Sequence, residues 1–172
     1  HVNDILRKSI EELSKSTIAA QLYIAVLPFS SDVAVLHADE SGSIFAPVRD
    51  WLKWLSASPS PYETNLARAQ TNIRLVLDRA SDFIDHFRGS DEASVLARRW
   101  ASAAVVVISD GAHYLEGDEG AETSKDILGH VFFTLNRSEN TDFAFVGIGD
   151  QADHESMTAW ASEASDKQKD LA

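Results

Sequence analysis

Apolar positions along the chain follow two rhythms, one helical and one of short unbroken runs. Val2, Ile5, Leu6, Ile10 and Leu13 fall on one helical face behind Asn3 and Asp4, which suit a helix start, so an amphipathic helix of about three turns is expected. From Ala19 to Phe29 the chain is nearly continuous in apolar character. Such a run reads as a strand buried on both faces, hence parallel and central. Ser30-Ser31-Asp32 ends it, and Val33 to His37 reads as a short returning strand closed by an acid-, Ser- and Gly-rich turn at Asp39 to Ser43.

Residues 46–61 are less regular. They carry Trp51 and Trp54 and end in Ser-Pro-Ser-Pro, which predicts a short helix and then a loop. Leu66, Ala69, Ile73, Val76 or Leu77, Ala80, Ile84 and Phe87 repeat at helical spacing, with Thr64 at the N-cap position. Gly89 to Glu92 breaks the chain, and one more helical segment is expected from Ala93 to Trp100. The strongest strand signal is Ala103 to Ile108, because Val105, Val106, Val107 and Ile108 are β-branched in succession. It stops at Ser109-Asp110-Gly111. After an acidic loop, Ile127, Leu128, Val131 and Leu135 predict a helix capped by Thr123 or Ser124. Phe143 to Val146 is a further strand ending in Gly147-Ile148-Gly149-Asp150. Met157, Trp160, Ala161 and Ala164 predict a last helix behind Asp153, with a polar tail expected to fray from Asp166.

Strands that alternate with amphipathic helices imply an α/β fold of the three-layer, doubly wound type with a mostly parallel sheet. No internal repeat or second domain is visible, so residues 1–172 read as one domain. At 172 residues a single core buries roughly 70% of the unfolded surface, which suffices without cross-links.

Composition narrows the function classes. The chain has no cysteine, which removes disulfides, Cys-ligated zinc, iron–sulfur clusters and thiol nucleophiles. A formal charge of −12 opposes nucleic acid and anionic membrane as partners, and is compatible with a basic protein partner or a divalent cation. It also fits ordinary solubilising surface charge. No apolar run approaches the ~20 residues of a membrane span. No charged-then-apolar leader is seen, which makes the cytoplasm the default expectation.

In an open α/β sheet, ligands bind beyond the carboxyl ends of the strands. Three loops meet that rule here: Ser30-Ser31-Asp32, Ser109-Asp110-Gly111 and Gly149-Asp150. Thr64, at a helix start, belongs on the same edge. A hydroxyl from Thr64 and a carboxylate from Asp110 are hard oxygen donors suited to Mg²⁺, Mn²⁺ or Ca²⁺. The plainer alternative makes Thr64 a cap and Asp110 a turn residue. The histidines at 1, 37, 86, 113, 130 and 154 lack ligand spacing. Gly147-x-Gly149 lacks the third glycine of a dinucleotide fingerprint, and neither a phosphate loop nor a nucleophile elbow is present. Asn136-Arg137-Ser138 has the spelling of a glycosylation acceptor. Trp51 and Trp54 suit either an exposed contact patch or ordinary packing.

The order of elements, the strand closing in Phe29-Ser30-Ser31, the helix start Glu63-Thr64-Asn65-Leu66, the strand ending Ile108-Ser109-Asp110-Gly111, and Phe145-Val146-Gly147-Ile148-Gly149 together resemble a von Willebrand factor A (vWA) domain. The resemblance runs from about Val2 to Ala164. It implies a non-enzymatic protein-interaction module whose metal-ion-dependent adhesion site engages a partner's carboxylate through Mg²⁺ or Mn²⁺. The matching ligand positions are Thr64 and Asp110. The family's first strand and the Asp-x-Ser-x-Ser loop behind it are expected to lie outside these residues or to come from another chain, because the sequence reads as starting on the first helix. Ser60-Pro61-Tyr62-Glu63 replaces the small, glycine-rich approach to the Thr that is common in the family. Two other readings stand beside this one. One is a degenerate scaffold of the same fold that binds no metal. The other is a Mg²⁺-dependent hydrolase or phosphotransferase with Asp110 and Asp150 as ligands, for which no nucleophile or base is evident.

Overall fold

A computed structural model describes residues 2–36, 43–57, 71–89, 102–109, 141–149 and 152–170. The chain divides into two compact units, residues 1–28 with 34–67 and residues 29–33 with 68–172.

In the first unit, α1 (Val2–Ser14) is the amphipathic helix expected from the apolar spacing. A single 3-10 turn, Ala19–Gln21, leads into β1 (Tyr23–Ile24), which pairs antiparallel with β2 (Ala46–Pro47). Next comes α2 (Val48–Ala57). Ile10, Ala46, Trp51 and Leu55 form the buried core, with Leu6, Ile24, Val26 and Leu36 packed against it. Two polar contacts lock this packing. The indole N–H of Trp51 donates to the carbonyl of Ile24 at 2.9 Å, so a fully buried ring keeps its one donor satisfied. Arg7 Nη2 of α1 donates to the carbonyl of Leu55 at 3.0 Å, serving a last-turn carbonyl of α2 that has no partner within its own helix.

The apolar run at 19–29 is therefore not a parallel central strand. Its paired part is two residues long and antiparallel, and isolated antiparallel bridges join Val26 to Leu36 and Phe29 to Val33. The run folds back through Ser30-Ser31-Asp32 onto Val33 to Leu36, as the returning strand requires. Continuous apolar character signals burial, and Ile24 and Val26 do pack against Ile10, Trp51 and Leu55, but burial alone fixes neither the direction nor the length of strand pairing.

The second unit carries the parallel strands. α3 (Ile73–Gly89) precedes β3 (Ala103–Ser109), which pairs in parallel with β4 (Thr141–Gly147) from Ala103↔Thr141 to Ser109↔Gly147. α4 (His154–Asp170) follows, and it stays helical past Asp166, where the polar composition predicts fraying. Ile73 and Leu77 of α3, Val107 of β3, and Met157 and Trp160 of α4 form one buried cluster, joined by Phe29, Val105, Phe143 and Phe145. Phe145 and Trp160 meet at 5.4 Å between ring centroids. Strand alternation turns the other positions outward, leaving Val106 55% and Val146 42% exposed.

α3 begins at Ile73, later than the helix predicted behind Thr64. The side chain of Asn72 accepts a hydrogen bond from Leu75 N at 3.0 Å and caps it. Thr64 thus does not cap this helix. The expected helices at 93–100 and 123–135 lie outside the described residues.

Candidate functional site

The carboxyl end of the β3–β4 pair is the part of the expected site that the structure describes. β3 is built from β-branched residues and places Ser109, 7% exposed, at its last position. Gly147 lies opposite it in register, and Ile148 N donates to the carbonyl of Ser109 at 2.9 Å, so both strands end level. Asp110 is the next residue along the chain from Ser109. Thr64, Asp110 and Asp150 themselves lie outside the described residues.

The turn from β4 into α4 is tightly specified. A Cβ on Gly147 would come within 2.7 Å of His154 Cε1 and 2.9 Å of both His154 Nδ1 and the Ala152 methyl group. Only glycine lets the imidazole lie against the strand end. Gly149 adopts a φ of +88°, the left-handed region that suits glycine. Asp153 then caps α4, accepting from Ser156 N at 3.0 Å. That backbone bond, a side-chain bond with Ser156 and the neighbouring His154 hold the Asp153 carboxyl below the usual carboxylate range.

The Ser30-Ser31-Asp32 loop belongs to the same unit. Ser30 is buried, its N–H donates to the Asp32 carbonyl at 2.8 Å, and its carbonyl accepts from Asn72 N at 2.8 Å. The loop is thereby tied to the start of α3. Among the described residues no three His, Asp or Glu side chains come together in a way that could hold a metal ion. Nor, among them, is any helix long and apolar enough to cross a membrane.

Two residues of this unit have structural roles that the apolar pattern alone does not bring out. Asn72 was legible as a cap, standing three positions before Leu75. His154 was not, because its role depends on the space above Gly147. Trp51 and Trp54 resolve to packing: Trp51 is fully buried, and the two rings meet edge-to-face at 5.5 Å.

A third segment lies in the turn expected at Asp39 to Ser43. Asp39-Glu40-Ser41-Gly42-Ser43 spells Asp-x-Ser-x-Ser, so the pattern does occur within these residues. The residues before it, Val33 and Leu36, are bridged antiparallel to Phe29 and Val26, whereas the family's loop follows a central strand. Ser43, the one described residue of the five, is exposed and donates its hydroxyl to the carbonyl of Phe45 at 2.7 Å.

The fold is of the vWA-like α/β class. The likeness is to the crystal structure of the manganese-loaded Plasmodium vivax TRAP protein, a vWA-domain protein, with a TM-score of 0.59 and 20% sequence identity. The match covers 94% of this chain and 54% of that one, so the present chain spans about half the length of the TRAP chain. No family model and no curated protein matches the sequence.

Proposed function

We propose that the chain is a non-enzymatic protein-interaction module, a single vWA-like domain over residues 1–172, that binds an acidic side chain of a protein partner through Mg²⁺ or Mn²⁺. Thr64 and Asp110 are its metal ligands. The observation that carries this reading is the parallel β3–β4 pair whose strand β3 runs directly into Asp110, in a fold similar to a manganese-loaded structure. A hydroxyl and a carboxylate fit a hard divalent cation but fill only part of its shell. The remaining ligands come from the partner's carboxylate and from water.

A metal-free scaffold of the same fold is the second reading. It is favoured by the start of α3 at Ile73, which separates Thr64 from the cap of that helix.

A thermal melt with Mg²⁺, with Mn²⁺ and with EDTA separates the two. Metal that binds only the folded state adds about 2.7 kcal/mol at a hundredfold excess over Kd. The metal reading expects a rise in Tm that Asp110→Ala and Thr64→Ala each remove and that Asp39→Ala leaves intact. No rise in the parent protein would establish the metal-free scaffold. A rise lost only in Asp39→Ala would move the site to the 39–43 loop.

A further inference from the structure

We draw no further inference here: the strongest candidate, the outward apolar face that Ala104, Val106, Ala144 and Val146 make on the β3–β4 pair, carries none because nothing in the structure shows what covers it.

Discussion

Single side chains decide how each unit closes. Trp51 joins α2, β1 and the core at once, since its ring is fully buried and its N–H serves the Ile24 carbonyl. Trp51→Ala should cost about 3–5 kcal/mol, in the range for aromatic truncation in a core, read as a fall in the urea midpoint. Gly147 is limiting in the opposite sense, because nothing larger fits beneath His154 and Ala152. Gly147→Ala should destabilise by about 1–3 kcal/mol through overpacking. Combining it with His154→Ala should return part of that loss, since the nearest obstructing atoms belong to the imidazole. A double mutant no more stable than Gly147→Ala would show that the imidazole is not the obstacle.

At the scale of elements, helix starts are where physical chemistry is most local. Asn72→Ala should lower stability by about 1 kcal/mol, the usual effect of losing a cap, with the helical circular dichroism signal melting earlier. Asp153 adds a pH dependence. Its folded pKa is depressed, so its contribution is complete above the ordinary carboxylate pKa of about 3.9 and is lost as pH falls through the lower folded value. Asp153→Ala should therefore flatten the acid limb of the stability profile and leave the alkaline limb unchanged. The same elements show what the sequence could reveal. The β-branched run at 105–108 and the helical spacing of α1 were legible because each pattern matches one period over its whole length. The run at 19–29 is not the expected strand, since unbroken apolar character reports burial without fixing the direction or length of strand pairing. The start of α3 was misplaced because Leu66 and Ala69 continue the helical spacing upstream, and periodicity does not mark a cap as Asn72 does. Of the proposed site, sequence alone supplies Thr64 and Asp110, through resemblance to a family, while the described structure supplies the level strand ends that lead to Asp110.

At the scale of the whole molecule, the described residues carry two hydrophobic clusters, one built around Trp51 and one around Trp160. A single domain over 1–172 expects both to melt in one cooperative transition, with calorimetric and van't Hoff enthalpies in agreement. Two separable transitions, with Trp51→Ala lowering only one, would assign the two units independent stability. The parallel ladder of the second unit also bears on kinetics. Ala103 pairs with Thr141 and Ser109 with Gly147, so every rung joins residues 38 positions apart. None of its hydrogen bonds can form until that length of chain has closed into a loop, whereas each helix needs only neighbours four residues away. Helices should therefore appear early in refolding and the ladder late. Val106→Ala would then speed unfolding far more than it slows folding.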